Sequence, residues 1–191
     1  MLYIYIGVTV VVSYLFGCFN GAIIISKHYY KKDIRNYGSG NAGLTNFFRT
    51  FGGLPTLLVL AIDLLKGMAA AGLGRILLGM LGYGDTGAVL GMLFVVMGHC
   101  FPVFYSFHGG KGILCAGGGL IVVNPLVFAV LLGLFIVTLA LTRYVSLGSL
   151  LCALTEPFWI YLFCGHDLAA TLLGVAAGLL MIYMHRAKIQ R

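Results

Sequence analysis

The sequence predicts an all-α, polytopic integral membrane protein: a bundle of about seven transmembrane helices in a single domain over residues 1–191. Three observations predict it. Hydrophobic residues make up 61% of the chain and charged residues only 9%, with a mean hydropathy of +1.04, so no soluble surface can be assembled. Apolar runs long enough to span a bilayer recur along the whole length, which favours helices over a β-barrel. The 28 glycines suit close helix packing and interrupted helices.

The runs predict helices at 2–26, 54–80, 86–105, 112–123, 125–141, 145–164 and 167–185. The first has no basic stretch before it and no small-residue cleavage site after it, and reads as an uncleaved helix rather than a signal peptide. The fourth is short and stops at Asn124-Pro125, where proline disfavours continuation; a single kinked helix over 112–141 is the alternative. Charge decides between them. With seven crossings, Lys27, Lys31, Lys32, Arg35, Arg49, Lys111, Arg143, Arg186, Lys188 and Arg191 share one face, and Asp85 and Asp167, with Arg75 nearby, take the other. That is the positive-inside pattern, with the N-terminus out, the C-terminus in and the motif-bearing loops in the cytoplasm. The net charge of +7 follows from this topology and from anionic headgroups, without nucleic acid as a partner. Cys18, Cys100, Cys115, Cys152 and Cys164 show no CxxC spacing and read as packing residues.

Four stretches can carry chemistry. In Gly38-Ser39-Gly40-Asn41-Ala42-Gly43-Leu44-Thr45-Asn46, Gly38 and Gly40 permit tight turns that could turn backbone N–H groups toward an anion. Ser39, Asn41, Thr45 and Asn46 add polar side chains, and Arg49 can fork around a phosphate. A helix beginning at Leu44 would place Thr45, Asn46 and Arg49 on one face; a merely polar interhelical loop is the competing reading. Second, Asp63 and Lys66 lie three apart inside an apolar helix, where ionisable groups point into a bundle or a cavity. A structural Asp63–Lys66 pair is one reading; Glu156, about 15 Å from the cytoplasmic end of its helix and so close in depth to Lys66 at about 18 Å, is expected to neutralise Lys66 or to lie close to it. Third, His99 precedes Gly109-Gly110-Lys111-Gly112, whose free amides, lysine and following helix N-terminus form a candidate anion cradle without the P-loop spacing. Fourth, His185-Arg186 and Lys188 end the last helix on the same face. The spacing of His28 and Asp33 matches that of a different class of glycerolipid acyltransferase, but no partner motif follows.

Taken together, KDIRNYGSGNAGLTNFFR, DLLKG, GHCFPVFYSFHGGKG, RYVSLGS and HRAKI resemble, in order and over nearly the full length, the bacterial acyl-phosphate:glycerol-3-phosphate acyltransferase family, the PlsY type. The resemblance implies a multi-pass enzyme of the bacterial plasma membrane in phospholipid synthesis, with its active site facing the cytoplasm. Its implied partners are acyl phosphate, glycerol 3-phosphate and membrane lipids; it implies no metal or organic cofactor, and function as a monomer is expected. Ser39 and Arg49 match the family's essential serine and arginine, with Asn41 beside them. Gly109, Gly110 and Gly112 match the loop associated with glycerol 3-phosphate, Lys111 its lysine, Lys66 the lysine of the DxxKG element, and His185 the C-terminal histidine. Three positions depart from the pattern: Leu44 where a small residue is usual, Cys115 where threonine is common, and Lys188 in place of an asparagine tied to activity. An organic-phosphate transporter is the alternative from another class; the absence of an inverted repeat and the gathering of motifs on one face speak against it.

Overall fold

A computed structural model describes residues 1–186 of the chain as a bundle of helices, with no strand among them. The helices are α1 (Leu2–Cys18), α2 (Gly21–Tyr29), α3 (Leu44–Phe51), α4 (Pro55–Gly79), α5 (Gly84–Cys100), α6 (Ile113–Val123), α7 (Pro125–Thr142), α8 (Val145–Phe163) and α9 (Leu168–Met184). Five segments are long and apolar enough to cross a membrane: Leu2–Tyr29, Pro55–Gly79, Gly84–Tyr105, Pro125–Thr142 and Val145–Phe163. The other two apolar helices, α6 and α9, are shorter.

The structure differs from the sequence expectation in two places. The first predicted helix is broken at Phe19-Asn20, because the Asn20 side chain accepts from the N–H of Ile23 and starts a new helix. The third ends at Cys100 and passes into a separate 3₁₀ turn at Val103–Tyr105, as Pro102 cannot continue it. The alternative of one kinked helix over 112–141 is excluded: Asn124 is extended (φ −164°, ψ 117°), ends α6 and caps the N–H of Leu126 at 2.9 Å to start α7.

Small residues let α4 and α5 approach closely, Gly74 facing Gly87 and Ala70 facing Gly91, so the two helices run antiparallel. With α6, α8 and α9 they enclose the main core, in which Val89, Met92, Val96, Cys115, Ile160 and Met181 are buried. A second, smaller core of Ala22, Ile23, Ile34, Ala42, Phe47 and Val59 lies under the 30–43 loop and is roofed by Tyr30 stacked on Phe51 at 4.3 Å. The bundle thus has two distinct ends. One gathers the turns at 80–83, 124 and 164–167, joined by Arg75 to Asp85 and the Val123 carbonyl, Thr86 to Asp167, and Asn124 to the Phe163 carbonyl. The other gathers the 30–43 loop, the glycine turn before α6 and the end of α9.

Candidate active site

Residues 31–43 have few apolar side chains to fold around, so their shape is set by polar caps. Asp33 accepts from the N–H of Arg35 and pairs with the Arg35 guanidinium at 2.7 Å and with Lys27 at 3.2 Å. The hydrogen bond from Arg35 holds the Asp33 carboxyl well below the usual carboxylate range. Arg35 also donates to the carbonyl of Tyr105 at 2.9 Å, which ties the loop to the turn after α5. With its carboxylate engaged by these two cations and His28 exposed, Asp33 has a structural place here.

Asn46 organises the next stretch. Buried at 5% exposure, it accepts from the N–H of Ser39 at 2.9 Å and donates to the carbonyls of Tyr37 (2.9 Å) and Asn41 (3.1 Å). Gly38, with φ +59°, leaves no room for a Cβ, which would collide with the Asn46 amide oxygen. The expected single face of α3 is therefore split: Asn46 and Phe47 turn inward, while Thr45 and Arg49, one helical turn apart, are exposed. The Ser39 side chain is exposed and Asn41 is partly covered.

The glycine turn is built on His99. Gly110 N–H donates to the His99 carbonyl and Gly109 N–H to that of Cys100, at 3.0 and 3.1 Å. A side chain on Gly110 would collide with Nε2 of His99 and the carbonyl of Ala42. Gly112 takes φ +79° and caps the start of α6. The two loops are joined to each other, Ala42 N–H donating to the carbonyl of Gly109 at 3.4 Å. These bonds correct the expectation of free amides at Gly109 and Gly110. The N–H groups of Ser39, Gly40, Ala42, Gly43, Gly109 and Gly110 are all engaged within the protein. Arg49 and Ser39 are exposed at this end of the bundle, and Lys111 stands at the start of α6.

His185 closes the same end from α9. Its Nδ1 donates to the carbonyl of Met181 at 2.8 Å, so Nε2 is left as the acceptor. Burial, with the positive charge of Lys111 adding to it, holds the ring below its ordinary value and favours the neutral form. Lys188 lies outside the described residues.

Lys66 is largely buried, in the wall of a groove that Phe16, Phe19, Leu65 and Ala69 also line. Its ammonium contacts Asp63 at 2.8 Å, Nδ1 of His99 at 2.9 Å, and the carbonyls of Phe19 at 3.0 Å and Gly17 at 3.3 Å. Glu156 is not among these partners, which overturns the expected Glu156–Lys66 pair. Helical rise gives depth but not azimuth: α4 packs on α1, α5 and α6, whereas α8 packs on α7 and α9. Asp63, His99 and Cys115 also converge as three potential metal ligands within 4.8 Å, but the Lys66 ammonium lies between the first two. Asn20, which sequence reasoning did not single out, donates to the Ala42 carbonyl at 3.1 Å and lies 3.5 Å from Nδ1 of His99. Its only sequence signal is a polar residue inside an apolar run next to glycine.

The chain is similar to known proteins over nearly its whole length. The family described as "Glycerol-3-phosphate acyltransferase" matches residues 7–191. A glycerol-3-phosphate acyltransferase of Finegoldia magna is 39% identical over 191 residues, covering 100% of this chain and 94% of the relative. That of Bacillus subtilis is 37% identical, covering 97% and 93%. Among solved structures, the glycerol 3-phosphate form of PlsY (YgiH), an integral membrane glycerol 3-phosphate acyltransferase, superposes with a TM-score of 0.86 at 31% identity, covering 97% of this chain and 90% of that one. Its lysophosphatidic acid form gives 0.83 at 30% identity, with the same coverage.

Proposed function

The chain belongs to the glycerol-3-phosphate acyltransferase family, and we propose that it transfers a fatty acyl group from acyl phosphate to the sn-1 hydroxyl of glycerol 3-phosphate. The products are lysophosphatidate and inorganic phosphate. The observation that carries this reading is the joining of the serine–arginine loop to the glycine turn through Ala42 and Gly109, at the end of the bundle that also holds His185.

Both substrates bear phosphate, and both must be held while a neutral hydroxyl attacks an activated carbonyl carbon. Arg49 and Lys111, from separate elements, supply the cations, and Ser39 and Thr45 supply hydroxyl donors. The new ester C–O bond forms as the C–O bond to phosphate breaks, and the hydroxyl proton leaves on a phosphate oxygen. Acyl phosphate is already activated, so the protein orients and neutralises rather than attacks. His185, with Nδ1 committed to Met181, presents Nε2 to the substrate. The acyl chain lies among apolar helix surfaces. Seven crossings, a cytoplasmic site and action as a monomer in the plasma membrane complete the reading.

Purified protein supplied with acyl phosphate and glycerol 3-phosphate should release phosphate only when both are present. Arg49→Ala should lower kcat/KM at least a hundredfold, about 2.7 kcal/mol of transition-state stabilisation. Undiminished release in that variant, or release without glycerol 3-phosphate, would count against the assignment, and trapping an acyl group on Ser39 would overturn direct transfer.

A further inference from the structure

A transmembrane helix that breaks leaves carbonyls and N–H groups that lipid cannot satisfy. At the break at 17–21 the protein itself supplies partners. Lys66 takes the carbonyls of Gly17 and Phe19; Asp63 accepts from Gly21 N–H at 3.3 Å; Asn20 caps Ile23 N–H at 3.0 Å. The ammonium has three protons and four acceptors around it, so none remains for a substrate phosphate. Because an ammonium only donates, Nδ1 of His99 accepts and the ring proton sits on Nε2, against Gly110. Asn20 and His99 then carry the fixed geometry outward, one to Ala42 and the other to the glycine turn. Asn20 and Asp63 are almost fully buried, as is His99.

We propose that Asn20, Asp63, Lys66 and His99 form a buried positioning unit that sets the spacing between the Ser39 loop and the glycine turn, and that none of the four touches substrate. The unit uses the helix break as its anchor. Lys66 thereby acts through carbonyls and His99, as a positioning residue rather than a phosphate ligand. The proposal rests on the acyltransferase reading above.

The test is a mutant cycle on the full chain in detergent, with acyl phosphate and glycerol 3-phosphate as substrates. Wild-type turnover is established first, since failure there sinks the acyltransferase reading and not the unit. Asp63→Asn combined with Lys66→Gln removes both buried charges together and avoids stranding either one. This pair, and Asn20→Ala separately, should each raise the KM for glycerol 3-phosphate about tenfold with kcat within about threefold. The triple variant should be no worse than the worse of the two, because all act through one element. Loss of kcat at saturating substrate in the neutral pair would place Lys66 on the reacting groups and overturn the proposal. Effects that multiply in the triple variant would also overturn it. Should the neutral pair fail to fold, Asn20→Asp still decides. It keeps the cap on Ile23 and deletes the amide donors, so a raised KM at an unchanged melting temperature supports the unit, and a wild-type KM refutes it.

Discussion

At the scale of single residues, what matters is how many hydrogen bonds a side chain has already spent. Asn46 and Lys66 look from their types like substrate ligands, yet both are saturated by their own surroundings. Ser39 and Arg49 are exposed on the same loop and the helix after it, and Asn46 holds the backbone of the first in place. His185 is the residue whose behaviour should depend on pH. Its folded value lies below the ordinary value of about 6.5, so the ring is neutral in folded and unfolded states alike above that pH. As pH falls through 6.5 the unfolded chain takes up a proton that the native site resists, and stability is lost. Between pH 7.5 and 5.5 the melting temperature of the wild type should therefore drop more than that of His185→Asn. Parallel curves would show that the buried imidazole carries no such penalty.

Among the helices, the informative features are the ends and breaks. Proline and asparagine mark them in the sequence, and the structure shows what each one does. Asn124 ends α6, caps α7 and also donates to the carbonyl of Phe163 at 3.0 Å, so one side chain joins three helix ends. Asn124→Ala should lower stability by about 1–3 kcal/mol, the sum of a lost cap and a lost hydrogen bond. Thermal unfolding in detergent micelles measures it, and an unchanged midpoint would remove Asn124 from this role. The change lies at the far end of the bundle from the site, so kcat should remain near the wild-type value at temperatures where the variant is folded.

For the molecule as a whole, the prediction concerns which end faces which side of the membrane. The proposal that the Ser39 end lies in the cytoplasm rests on the positive-inside rule applied to the basic residues. Tyr37 and Tyr83 are exposed at opposite ends, and the native cysteines are buried or half-buried. In intact cells, a membrane-impermeant maleimide should label Tyr83→Cys and spare Tyr37→Cys until the cells are opened. Labelling of Tyr37→Cys from outside would invert the topology.

Sequence alone determined the membrane class, the apolar segments to within a few residues, the gathering of basic residues in the motif-bearing loops and the family motifs themselves. Those properties are written in composition, run length and local order, which do not depend on what a helix packs against. Only the tertiary structure decided which polar groups are already spent. It engaged the amides of Gly109 and Gly110 with carbonyls of α5, left Glu156 out of the contacts of Lys66, and brought Nδ1 of His99 and the carbonyls of Gly17 and Phe19 onto that ammonium. The reason is azimuth and reach. Partners from helices far apart in sequence meet only once the bundle has fixed how each helix is rotated, and no spacing along the chain encodes that rotation.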